Sequence, residues 1–256
     1  MYPVGICTSR SHAAGLQAAG ADYVEENVQS FLQPEQPDFQ VPPASVPVRM
    51  ANCFLPAALP CVGPTVDFTR LIRYADCAFR RAQQVGIEII VFGSGGARQI
   101  PAGFSKTKAE EQFVTLLREL GPRAARSGVT VVIEPLNRAE CNLINSVPEA
   151  AALATECNHP NIQVLADFFH MLRDGQSPDD ILQHGTLLRH VHVAEVAKRT
   201  APGVAGDDFG PFLRALQQVQ YRGAISIESS WGEIATEAGP AIRELRRQIS
   251  AACGQN

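Results

Sequence analysis

The chain has 256 residues, 45% of them hydrophobic and 19% charged, with 22 basic against 26 acidic side chains and a net charge of −4. That is enough apolar material for one large core, and the slight acidic balance, with no basic run, argues against a nucleic-acid or membrane surface. No apolar run reaches the ~18 residues of a membrane span. The N-terminus MYPVGICTSR has no signal-peptide core, and the seven scattered cysteines include no CxxC. The expectation is a cytoplasmic protein with free thiols.

Short apolar runs alternate with longer amphipathic segments along the chain. PVGIC (3–7) reads as a first strand, followed by a short helix over 11–19. DYVE (22–25) reads as a second strand and ends in carboxylates. The Pro- and Gln-rich stretch 33–47 reads as a long loop, and VRMANCF (48–54) as a third strand. A helix is expected over 66–85, where Leu71, Ala75, Ala78, Ala82 and Val85 recur at three- and four-residue spacing. IEIIVF (87–92) is a fourth strand, stopped by GSGG. A helix over 106–127 carries Ala109, Phe113, Leu116, Leu117 and Leu120 on one stripe. The fifth strand, 129–134, stops at Glu134 and Pro135.

The alternation continues. Ser146, Pro148 and Glu149 open a helix. IQVLAD (162–167) is strand six, and Ser177-Pro178-Asp179-Asp180 opens another helix. Strand seven spans 187–192, a helix 209–219, strand eight 224–228, and a last helix about 234–252. Eight strands, each followed by a helical or irregular segment, predict an α/β fold: a (β/α)8 TIM barrel with 1–256 as one domain. The competing doubly wound sheet would carry a Gly-rich phosphate turn. GSGGAR (93–98) has neither the Walker lysine nor the dinucleotide spacing. Its Arg98 would contact either substrate or an ion-paired neighbour.

In such a barrel the C-terminal strand ends form the rim that holds the site. Here strand five ends at Glu134 and strand six at Asp167, with His170 three residues on. Strand seven ends in HVHVAE, with His190, His192 and Glu195, and strand eight at Glu228. Two glutamates, an aspartate and a histidine from four successive strands would repel unless a cation joined them. Oxygen donors with one imidazole suit Mn²⁺, Mg²⁺ or Co²⁺, with Zn²⁺ as an alternative.

As a set, EPLNRAE, the D-x-x-H of ADFFH, HVHVAE and SIES resemble the xylose isomerase-like superfamily, specifically its ketose 3-epimerase and hydroxypyruvate isomerase-like branch. The resemblance runs from VGICTSR to RGAISIESSW. It implies one divalent metal, Mn²⁺ first, held by Glu134, Asp167, His192 and Glu228, with His190 in a supporting or core position. It implies Glu134 and Glu228 as the acid/base pair for proton transfer beside a carbonyl, through an enediolate, on a small sugar or hydroxy-ketone. His170 and Glu140 would contact the substrate. The arginine expected six residues past the ligand histidine is replaced by Lys198, with Arg199 next, so Lys198 substitutes for it, Arg199 is shifted into its place, or the substrate differs. The loop 201–210, APGVAGDDFG, would close over the site or simply connect. Dimers or tetramers are expected by analogy. An inosose dehydratase-like lyase shares the same ligands and stays open as an alternative. An endonuclease IV-like phosphodiesterase fits poorly, because no histidine lies between His12 and His159.

Overall fold

The computed structural model describes residues 2–40 and 46–254. Eight strands close into one parallel barrel in chain order: β1 (Val4–Cys7), β2 (Tyr23–Asn27), β3 (Val48–Asn52), β4 (Ile89–Phe92), β5 (Thr130–Ile133), β6 (Ile162–Asp167), β7 (Leu188–Val193) and β8 (Ala224–Ile227). All eight strands fall where the sequence puts them. Of the expected long loop 33–47, residues 41–45 lie outside the described residues, and the described remainder forms no helix or strand before β3.

Among the described residues, nine α-helices lie between and after the staves. They are α1 (Ala13–Ala18), α2 (Phe68–Val85), α3 (Gly95–Arg98), α4 (Lys106–Arg126), α5 (Val147–Cys157), α6 (Phe168–Arg173), α7 (Asp179–His184), α8 (Gly210–Gln218) and α9 (Ile234–Cys253). The caps follow the sequence. The Ser146 side chain accepts from the Glu149 N–H to start α5, with a proline in its first turn. Gly86 closes α2 at φ +80°, a conformation that strains side chains with a Cβ. None of these helices is long and apolar enough to cross a membrane.

Hydrophobic residues segregate by strand parity. One face of each stave packs on the helices in the main core, with Ile133, Val164, Val191 and Ile227 all fully buried. The other face points into the barrel, where Val91, Val132 and Leu165 form a separate small cluster. Tyr23, Met50 and Ala224 form another. A Cβ on Gly5 would run into the Tyr23 ring, so glycine is what lets that ring fill the lower interior. Strand period two then sets the rim. Two residues beyond Val132, Leu165, His190 and Ser226 come Glu134, Asp167, His192 and Glu228, on the same inward face.

Candidate active site

These four residues converge. One ligand atom from each of Glu134, Asp167, His192 and Glu228 lies within 4.8 Å of all the others. They form an arc, with the two glutamates on β5 and β8 flanking Asp167 and His192 on β6 and β7. His192 Nδ1 is 3.2 Å from Glu134 Oε1 and 3.2 Å from Glu228 Oε2. All but Glu228 are buried, and its side chain is 21% exposed.

Each member is held by its own partners. Pro135 keeps Glu134 at the very end of its stave, and a Cβ on Gly93 would overlap Glu134 Oε2. The Gly93 of GSGG thus makes room for this carboxylate. Asp167 caps α6, its Oδ1 accepting from the Phe169 N–H at 2.8 Å, which leaves Oδ2 facing the site. Glu228 Oε1 accepts from Asn52 Nδ2 at 2.8 Å.

The electrostatics are unequal across the arc. Burial pushes the Glu134 carboxyl up. Burial acts the same way on Glu228, but His192 and Arg199 outweigh it and hold that carboxyl below the usual range. Burial opposes charge on His192, yet Glu25 and Glu228 raise its imidazole well above the ordinary value. Three carboxyls, one imidazole and oxygen-rich chemistry fit a hard or borderline divalent cation. Beside the arc, His170 Nε2 is buried with no hydrogen-bond partner, 3.4 Å from Asp167 Oδ2.

A cavity of about 390 Å³ opens beside the arc, lined by Glu134, Glu228, Glu140, His170 and Arg199, with Cys53, Leu55 and Leu136 among its apolar walls. His170 is oriented by Asn137, whose backbone N–H and Nδ2 both donate to Nδ1, at 3.2 and 2.8 Å. Nδ1 therefore accepts, and Nε2 carries the proton toward the site. The same Asn137 amide donates to Glu140 Oε1 at 2.8 Å.

The sequence leaves Lys198 and Arg199 as alternatives, and the backbone separates them. Both residues adopt left-handed φ, 57° and 54°, and this turn swings the second inward. Lys198 is exposed and is not among the cavity-lining residues. Arg199 donates from Nη2 to Glu228 Oε2 and from Nε to the Glu228 carbonyl at 3.0 Å. Its Nη2 is 3.4 Å from Asp167 Oδ2, and its guanidinium lies 4.6 Å from the centre of the Phe169 ring. Of the two cations expected at the substrate, Arg199 lines the cavity and Lys198 does not.

Two further residues take structural places. Arg98 is fully buried, and instead of facing substrate or an acidic neighbour it donates to the carbonyls of Phe92 at 3.0 Å and Glu134 at 2.6 Å. It ties together the ends of β4 and β5. Glu195 stands apart from the arc and fastens the loop after β7. Its carboxylate accepts from Thr200 Oγ1 at 2.9 Å and from the N–H groups of Gly203, Ala205 and Gly206 at 2.8, 2.5 and 2.9 Å. Burial acts to raise this carboxyl, but these donors prevail and lower it. Its contribution to stability is therefore full above the unfolded value of about 4.3 and fades as pH falls through the lower folded one. Glu195→Gln is expected to lower the melting temperature most at pH 6–7, with the gap from wild type closing below about pH 4. A pH-independent gap would mean the charge is not what holds the loop.

Sequence reasoning missed Glu25. It is 1% exposed inside the barrel, and it accepts from His192 Nε2 at 2.9 Å and His190 Nε2 at 2.7 Å. The signal was present, since DYVE ends in carboxylates just as the late strands do. Asn52 and Asn137 were also unmarked. All seven cysteines are free, as expected.

A closed eight-stranded parallel barrel with polar stave ends at its C-terminal rim defines the class. The chain belongs to the xylose isomerase-like TIM barrel family, whose profile matches residues 57–250. It is 34% identical to an L-ribulose 3-epimerase of Methylomonas sp. (strain DH-1) over 47% of this chain and 42% of that protein. It is 32% identical to a ketose 3-epimerase of Arthrobacter globiformis, over 50% of this chain and 42% of the relative. Each match thus spans less than half of the relative's length. Among solved structures, a D-allulose 3-epimerase from Methylomonas sp. superposes with a TM-score of 0.83 at 24% identity, covering 96% of this chain and 98% of that one. That likeness bears on the fold.

Proposed function

We propose that this protein is a divalent-metal-dependent epimerase or isomerase of a small sugar or hydroxy-ketone, moving a proton beside the substrate carbonyl. The observation that carries the reading is the pair Glu134 and Glu228, which end staves β5 and β8 and flank Asp167 and His192 within 4.8 Å. Both named relatives are epimerases of sugars, which supports the same class.

Glu134, Asp167, His192 Nδ1 and Glu228 would hold the cation, with Mn²⁺ the first candidate. The cation would supply Lewis-acid stabilisation to negative charge developing on substrate oxygens. The chain's own residues do the rest. One of the two glutamates takes the carbon-bound proton and the other returns one, giving inversion at one carbon or transfer between neighbouring carbons through an enediolate. His170 donates from Nε2 to a substrate oxygen, a role that matches its orphaned N–H. Arg199 presents its planar fork to substrate hydroxyls, and Glu140 accepts from others. Leu55 and Leu136 exclude water from one wall. A phosphodiesterase reading has less support, because among the described residues both candidate cation clusters draw on the one histidine, His192.

The direct test is product identification by NMR after incubating the protein and Mn²⁺ with a panel of ketoses, hydroxypyruvate and inososes. A ketose epimer or an aldose–ketose pair is expected. Loss of water from an inosose would replace this reading with a dehydratase. The arginine assignment has its own test. Arg199→Ala is expected to lower kcat/KM about 10²-fold by releasing substrate and Glu228 together. Lys198→Ala, an exposed change, is expected to stay within about twofold. The reverse ranking would restore Lys198 as the substrate cation.

A further inference from the structure

His192 has two ring nitrogens, and the arc can use only one of them. Nδ1 faces Glu134 and Glu228, while Nε2 faces away from the rim, down into the barrel, where it meets Glu25 Oε1 at 2.9 Å. Glu25 comes from β2, and β7 carrying His192 lies across the barrel interior from it, separated by β1 and β8 in the closed order. A carboxylate only accepts, so this contact requires the proton on Nε2; the proton that Nδ1 shares with Glu134, at 3.2 Å, is the one a cation would displace, freeing the Nδ1 lone pair for the site.

Glu25 is itself fixed. Its second oxygen accepts from His190 Nε2 at 2.7 Å and from Ser226 Oγ at 2.6 Å, and Ser226 is held in turn by Tyr23 OH at 2.7 Å. The inward alternation of HVH on β7 brings both histidines to one carboxylate, their rings 4.9 Å apart at 85°. An isolated buried carboxylate is costly, but this one has three donors. Cys7 Sγ also lies near, 4.0 Å from His192 Nε2, and it completes a Cys7–Glu25–His192 group that could suggest a second cation. The donors already on both Glu25 oxygens argue against that use. So does the thiol, which burial pushes up toward its neutral form.

We infer that Glu25 is a positioning residue: it locks the His192 ring and its tautomer so that Nδ1 is presented to the cation, with His190 and Ser226 holding Glu25 in place. The inference rests on the metal-site reading above. Such outer partners typically change metal affinity by 10–100-fold when removed.

The test uses the full chain, stripped of metal and titrated with Mn²⁺ alone by isothermal titration calorimetry. Glu25→Leu is expected to weaken the Mn²⁺ Kd by about 10–100-fold. Glu25→Gln, which keeps an acceptor for the same N–H, is expected to lose less than about tenfold, a rescue by the conservative variant. Because Glu25→Leu can fail to fold, the second measurement is made on wild type. Histidine ¹⁵N NMR of the Zn²⁺-loaded protein should show His192 protonated at Nε2 and metal-shifted at Nδ1. Unchanged Mn²⁺ affinity in a folded Glu25→Leu protein, or His192 bound through Nε2, overturns the role of Glu25 alone. Wild type that binds no Mn²⁺ overturns the metal-site reading and this inference together.

Discussion

Glu228→Gln is expected to remain folded, to bind Mn²⁺ more weakly, and to lose turnover by about 10²–10⁴-fold, the range that a positioned acid or base contributes. The substitution keeps the side chain's volume and leaves an amide oxygen for the Asn52 Nδ2 donor that Oε1 accepts now. What it removes is the carboxylate that pairs with Arg199 and faces His192 Nδ1. Glu134, Asp167 and His192 remain as three groups for the cation, so turnover can be measured in metal-saturated protein. Under those conditions a loss of kcat reports proton transfer rather than missing metal. Glu228 is held ionised by His192 and Arg199 against burial, whereas burial raises Glu134. Full turnover in metal-saturated Glu228→Gln would remove it from the acid/base pair.

Metal removal is the second large effect. Three carboxyls and an imidazole packed within 4.8 Å repel unless a positive charge lies among them. Arg199 and a protonated His192 supply part of that charge. A bound divalent cation would supply more and stabilise the folded state by mass action, about 2.7 kcal/mol at 100 times Kd. For a chain of this size each kcal/mol moves the melting temperature by roughly 2–4 °C. Mn²⁺ at that excess should therefore raise it by about 5–11 °C, and a chelator should return it and abolish turnover together. A melting temperature indifferent to both Mn²⁺ and chelator would mean that the arc holds no cation.

The barrel was legible because its signal is local. β6 is predicted at 162–167 and found at Ile162–Asp167, an apolar run buried along its whole length and stopped by a charge. The rim was legible because strand period two carries the inward face of each late stave outward to its polar end. Other features depend on geometry that residue counting does not hold. Arg199 rather than Lys198 lines the cavity because two consecutive left-handed residues shift the side chain by one position relative to the expected spacing. The helix α6 was hidden because it is six residues long and begins directly after Asp167, which serves both as strand end and as cap. The role of Glu25 depends on pairing across the barrel, with a partner 167 residues away in sequence. Arg98 looked like a candidate substrate contact because charge is what sequence shows. Its burial against two backbone carbonyls shows only in three dimensions.

The most direct test of the central claim is ¹H NMR of a converted ketose in D₂O with Mn²⁺-loaded protein. Proton transfer by Glu134 and Glu228 beside the carbonyl predicts solvent deuterium at one carbon adjacent to that carbonyl, at a rate that falls with Glu228→Gln. Conversion of substrate in which every carbon-bound proton survives would contradict it, because no proton would then have passed through a carboxyl in exchange with solvent.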